Sequence, residues 1–338
     1  MKKAILGCLL GVIALAVTAN SDNFNDVPDR YTVQRGDTLW DISDHFLKTP
    51  WLWPEIWHVN PDIANPHLIY PGDVIKLVYI DGQPRLTVER SRNVKLSPQI
   101  KETPHAEAIP ALPLEAIQHF LSRNRVVEPG VLEAAPYVLA GSDKHLLTGS
   151  GQDFYARGDL EPGVPVFGVY RKGDAYVDPY TGEMLGIRAK DIGTGRLKAI
   201  NEGGVATFKA TRSAEEIRIA DRLLPHEERK INATFYPKSP EREVEGVIIA
   251  VEDGLTQVGR LDVVALNKGA RDGVDEGAIL AIYKRGETIK DRVTGEAVEL
   301  PSERAGLLMV FRTFEKMSYG LVMKADRPLA VGDEVHNP

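Results

Sequence analysis

Cysteine is almost missing from this chain: of 338 residues, only Cys8 carries a thiol. A lone cysteine so near the start excludes a disulfide framework, a cysteine zinc site and a thiol nucleophile anywhere beyond it. Stability must therefore come from packing. Long apolar runs are also scarce, because after Ala4 to Val17 no stretch approaches the roughly 20 apolar residues that a membrane helix needs. An excess of positive charge is absent as well: 41 Lys and Arg face 48 Asp and Glu, for a formal charge of -7. Binders of nucleic acid or of anionic membranes concentrate Lys and Arg to displace counterions, so neither class is expected. An uncharged ligand fits this balance better.

Catalytic signatures are missing too. The sequence has no closely spaced histidine pair of the zinc-peptidase kind, no Gly-x-Ser-x-Gly elbow and no phosphate-binding Gly-x-x-x-x-Gly-Lys-Ser/Thr loop. His45, His58 and His67 lack metal-ligand spacing and read as packing or surface residues, while Glu227, Glu228 and Glu241 read as solvated charges. No metal, no cofactor and no enzymatic activity are expected.

The chain opens with Lys2 and Lys3, the apolar run, and the small residues of Val17-Thr18-Ala19. This pattern predicts a secretory leader over residues 1–19, cleaved after Ala19, and so an exported chain that ends in the periplasm or cell envelope. Ile5-Leu6-Gly7-Cys8 resembles a lipoprotein box, but the cysteine precedes most of the apolar run, so lipidation is not expected.

The most informative stretch runs from Arg30 to Val78. Tyr31-Thr32-Val33 alternates like a strand and stops at Gly36-Asp37-Thr38-Leu39, where glycine permits a sharp turn. Asp37 or Thr38 then caps a helix whose apolar face is Leu39, Ile42 and Phe46. A second helix is predicted from Pro54 to Val59, ended by Asn60-Pro61. Tyr70-Pro71-Gly72-Asp73 turns the chain into a closing strand, Val74 to Val78, completing a β-α-α-β unit. All four tryptophans fall inside it. Trp51 and Trp53 are read as packing residues rather than as platforms for a ligand.

The constellation Tyr-Thr-Val-x-x-Gly-Asp-Thr-Leu-Trp-x-Ile, then Asn-Pro, then Ile-Tyr-Pro-Gly-Asp resembles a LysM domain over residues 30–79, about a seventh of the chain. The resemblance implies binding of peptidoglycan or another N-acetylglucosamine polymer in a shallow groove between two turns. Carried over motif by motif, one wall is Gly36, Asp37, Thr38 and Leu39, and the other is drawn from Asn60, Pro61, Asp62, Ile63 and Ile69. An N-acetyl group offers one donor, one acceptor and a methyl, so backbone groups near glycine and a small apolar patch can recognise it without charge. The insertions Lys48 to Trp57 and Ala64 to His67 depart from the family's simplest form at the second wall.

Ile80 to Leu96 suits a hairpin turning at Asp81-Gly82. Pro98, Pro104, Pro110 and Pro113 mark residues 97–113 as a linker. Beyond it a short helix is predicted over Leu114 to Leu121, then strands between glycine turns. Tyr170, Gly173, Asp178, Thr181, Gly182, Glu183 and Gly193 recur as Tyr283, Gly286, Asp291, Thr294, Gly295, Glu296 and Gly306, always 113 positions later. The expected class is therefore α+β multidomain: the N-terminal module, then a mostly-β region of two repeated barrel- or sandwich-like units over 114–236 and 240–338. The repeated Thr-Gly pairs are read as turn geometry. Two roles compete for the whole: a wall binder whose β units hold another envelope protein, and a LysM-anchored wall hydrolase of unrecognised type.

Overall fold

The computed structural model describes residues 24–25, 30–54, 69–80, 83–89, 110, 112–113, 117, 120, 124–142, 145–201, 203–226, 235–252, 258–286 and 288–338. The predicted leader, most of the predicted linker and Asn60 to Ile63 lie outside them. The chain divides into two compact units, 1–110 and 111–338.

In the first unit, β1 (Arg30–Thr32) pairs antiparallel with β2 (Val74–Ile80), with Thr32 opposite Val74. The helix α1 (Leu39–Phe46) starts where the sequence places it: Thr38 and Asp41 form a reciprocal capping box, each side chain accepting from the other's backbone N–H. Leu39, Trp40, Ile42 and Phe46 bury one face of the helix. A 3-10 turn over Pro50–Leu52 has Pro50 in its first turn, where the missing N–H costs nothing, while the helix predicted from Pro54 to Val59 lies, beyond Pro54, outside the described residues. A third strand, β3 (Gln83–Glu89), pairs with β2 from Ile80↔Gln83 onward and extends the β-α-α-β plan to three strands.

The second unit is almost wholly β. Its first half contains β4 (Asn124–Val127), the short helix α2 (Val131–Ala134), β5 (Tyr137–Gly141), β6 (Leu147–Thr148), β7 (Asp153–Arg157), β8 (Val166–Val177), β9 (Met184–Ile200), β10 (Val205–Ser213), β11 (Ile217–Arg218) and β12 (Arg222–Pro225). The sheet runs β10-β7-β5-β12-β8-β9-β4, and a further β9–β10 pairing joins strands from its two ends, closing six strands into a ring with β4 appended outside. Phe208 centres the core, stacked on Phe154 at 5.3 Å and edge-on to Phe167 at 5.6 Å.

The second half holds β13 (Glu245–Val251), β14 (Val263–Leu266), β15 (Ile279–Lys284), β16 (Thr288–Lys290), β17 (Ala297–Glu299), β18 (Glu303–Thr313), β19 (Ser318–Ala325) and β20 (Glu334–His336). Six of them close as β13-β14-β19-β18-β15-β20, a barrel rather than a sandwich. Lettered in chain order, the six ring strands of each half follow one circuit, a-b-e-d-c-f. Closure leaves the second ring no free edge among the described residues, while the first is joined between β5 and β12 by the single pair Tyr137↔Arg222. Gly193 and Gly306 stand at matching places in the two rings: a Cβ on either would lie 2.4 or 2.3 Å from a carbonyl of the neighbouring strand, Arg212 or Lys324.

The rings are bonded to each other. The turn between β8 and β9 has Gly182 at φ +72 and Asp178 accepting from the N–H groups of Tyr180 and Thr181. Besides making that turn, Asp178 accepts from the Asn267 amide at 2.8 Å, and Glu183 receives Arg271 at 2.9 and 2.8 Å and Lys316 at 2.8 Å. Beside this joint, Tyr176 donates to the buried Glu252, which Arg188 holds at 2.8 Å; the Tyr176 and Tyr319 hydroxyls meet at 2.9 Å. Strands β14, β15 and β18 are buried along most of their length because their outward side chains are covered too, as where Phe120 packs on Phe311 and Tyr319.

Arg271, and then Lys316, hold the Glu183 carboxyl down at about 2. A depressed carboxylate stabilises most above its ordinary value of 4.5, and the contribution disappears as pH falls through about 2. The difference in urea midpoint between wild type and Glu183→Gln should therefore be present at neutral pH and shrink across that window. A difference that stays constant with pH would remove this carboxylate from the joint.

Candidate functional site

Two turns of the first unit are brought together by Val33. Its N–H donates to the Asp73 carbonyl at 2.9 Å, and its carbonyl accepts from the Gly72 N–H at 2.8 Å. The turn at Gly36 (φ +99) thus lies beside the turn at Gly72 (φ +98), both in the left-handed region that glycine adopts without strain. The acids of the site are satisfied locally. Asp37 accepts from the Tyr31 hydroxyl at 2.9 Å and the Gln34 N–H at 2.7 Å, Asp41 takes the Thr38 hydroxyl at 2.7 Å, and Asp73 takes the Tyr70 N–H at 3.1 Å. Burial, reinforced by the bond to Asp37, pushes the Tyr31 hydroxyl up to about 12, so it remains a donor at any physiological pH.

Of the first proposed wall, Gly36 is exposed with open space where a Cβ would stand, and Asp37 is half-buried. The side chains of Thr38 and Leu39 are buried, Thr38 in the capping box and Leu39 in the core. The Leu39 N–H donates to the Pro110 carbonyl at 3.0 Å. On the second wall Ile69 is fully buried, whereas its neighbour Tyr70 reaches the surface, because adjacent residues of an extended segment point opposite ways. Asn60, Pro61, Asp62 and Ile63 lie outside the described residues. Trp40, Trp51 and Trp53 are all buried, which keeps them from acting as exposed stacking platforms. What the described turns offer a ligand is exposed backbone at Gly36 and Gly72, flanked by the exposed Arg35 and the half-buried, locally bonded Asp37 and Asp73.

The comparison with known families agrees with this geometry: residues 31–78 match the LysM domain. The chain carries a LysM domain at its N-terminal side, followed by a mostly-β region that includes a closed six-stranded barrel. Such a domain supports binding of peptidoglycan and related N-acetylglucosamine glycans in general. The uncharacterized protein YqbP of Bacillus subtilis (strain 168) is 38% identical over 60 residues, 15% of this chain and 27% of that protein. The chain thus spans about a quarter of the length of the relative it matches. Among the described residues no helix is long and apolar enough to cross a membrane.

Proposed function

We propose that this chain is an exported, non-catalytic envelope protein that holds N-acetylglucosamine-containing glycan, chiefly peptidoglycan, at the paired turns of its LysM domain, while its β rings serve a protein partner. The observation that carries the glycan half is the family match over 31–78, joined to an exposed turn at Gly36 with open space above it. Export is supported by the basic start and short apolar run before Ala19. The adaptor half is supported by architecture: most of the chain lies outside the glycan-binding module, and the sequence offers it no recognised catalytic signature. Shallow contact of this kind gives affinities of roughly micromolar to millimolar, about 4 to 8 kcal/mol.

The test is co-sedimentation with purified peptidoglycan sacculi. Wild type should pellet, deletion of residues 20–78 should leave the protein in the supernatant, and Gly36→Trp should weaken binding by at least about tenfold. Gly36→Asn, which tolerates positive φ and adds little bulk, separates obstruction from backbone strain and should retain most binding. Equal pelleting by the deletion removes the module from wall binding, and release of soluble muropeptides would favour the hydrolase reading.

A further inference from the structure

We propose that copies of this chain join head to tail, with the β16–β17 hairpin of one copy seated on the open loop end of the next copy's first ring. The hairpin needs a covering surface: Ile289 and Val298 face each other across it, Val293 at its tip is 93% exposed, and Leu300 lies exposed beside them. A two-stranded hairpin standing alone in water is marginal.

The molecule already shows how such a hairpin is used. The turn Asp291-Arg-Val-Thr-Gly-Glu296 has the same hydrogen bonds as Asp178-Pro-Tyr-Thr-Gly-Glu183: the Asp N–H reaches the Glu carbonyl, the Gly N–H returns to the Asp carbonyl, and Gly295 has φ +78. The earlier turn is seated on the second ring, on the loop after β14 and the turn between β18 and β19. Among the described residues, no hydrogen bond or ion pair seats the later one on a second surface.

The matching end of the first ring presents acidic side chains among the described residues. Strand register equates Gly158-Asp159 after β7 with Asn267-Lys268 after β14, since Arg157 pairs with Val205 as Leu266 pairs with Ser318. Asp159 and Glu161 are exposed on that loop. Charge is exchanged on both sides of the joint. Inside the chain, an acidic turn meets Arg271 and Lys316. Between chains, Lys290 and Arg292 on the hairpin would meet Asp159 and Glu161, and none of these four makes an ion pair among the described residues. The repeated step is heterologous, so it generates rings or filaments rather than a closed twofold dimer.

Analytical ultracentrifugation of the whole chain over a concentration series tests this independently of glycan binding. The average mass should rise above one chain with concentration. Lys290→Glu/Arg292→Glu and, separately, Asp159→Lys/Glu161→Lys should each weaken association by at least about tenfold. An equimolar mixture of the two variants should restore it, because each contributes one native surface and the two altered surfaces complement each other. All four changes lie on exposed positions, and circular dichroism checks that the folds persist. A single-chain mass at every concentration overturns the proposal and leaves the hairpin to a different protein. Association unaffected by the substitutions, or a mixture that fails to restore it, overturns it equally.

Discussion

Glu252→Ala should destabilise the paired rings by about 3 kcal/mol, the scale expected when one partner of a buried ion pair is removed. Glu252 is only 4% exposed and receives both Arg188 and the Tyr176 hydroxyl. Without it, Arg188 keeps only Asp174, 3.2 Å away on the surface, and its buried Nε already lacks a partner. Tyr176 would retain Tyr319 alone. Burial, helped by the negative charge of Glu252, holds both tyrosine hydroxyls well above their ordinary range, so they cannot ionise to compensate. Glu252→Gln keeps an acceptor for Tyr176 and should lose about half as much. Urea unfolding followed by circular dichroism reads both variants. A loss below about 0.5 kcal/mol for Glu252→Ala would mean that water replaces the carboxylate freely and that this network does not hold the rings together.

Trp40→Ala should unfold the LysM module and abolish sacculus pelleting together. Trp40 is 2% exposed on the buried face of α1, and truncating a buried tryptophan costs about 3 to 5 kcal/mol. A module of about 50 residues has only about 5 kcal/mol to lose at ~0.1 kcal/mol per residue. Hydrogen exchange would show protection lost across Leu39–Phe46 while β18 and β19 keep theirs. Persistent protection in α1 with pelleting intact would show that the module's stability lies elsewhere.

The local features of the first unit were legible because each rests on neighbouring residues. Asp37-Thr38 ahead of Leu39 announces a helix cap without saying which of the two supplies it, Gly36 and Gly72 announce turns, and Asp81-Gly82 announces the connection between Ile80 and Gln83. The site was less legible, because Ile69 and Leu39 are apolar residues whose burial depends on which way an extended segment and a helix turn toward the core. In the second unit, apolar runs showed strands such as β15 and β18, and the succession of Leu307–Phe311 and Tyr319–Met323 suggested the β18–β19 pair, but not that β15 lies between β18 and β20. Nothing near Ile192 or Arg212 says that β9 must pair with both β8 and β10 to complete a ring; that pairing is a contact between distant segments. The reading of Thr181-Gly182 as turn chemistry agrees with φ +72 at Gly182, yet it left Asp178 and Glu183 without the second task they perform on Asn267 and Arg271.

In the second ring the first and last strands are immediate neighbours: Glu245 at the start of β13 lies opposite His336 at the end of β20. Tension applied between that ring's entry and exit would act across the same few backbone hydrogen bonds, peeling them one after another instead of shearing them all at once. Such a seam parts at low force and re-forms when the load is released. Load that enters the second ring at β13 and leaves through the β16–β17 hairpin would bypass that seam and pass into β15 and β18, whose register runs over Ile279–Lys284.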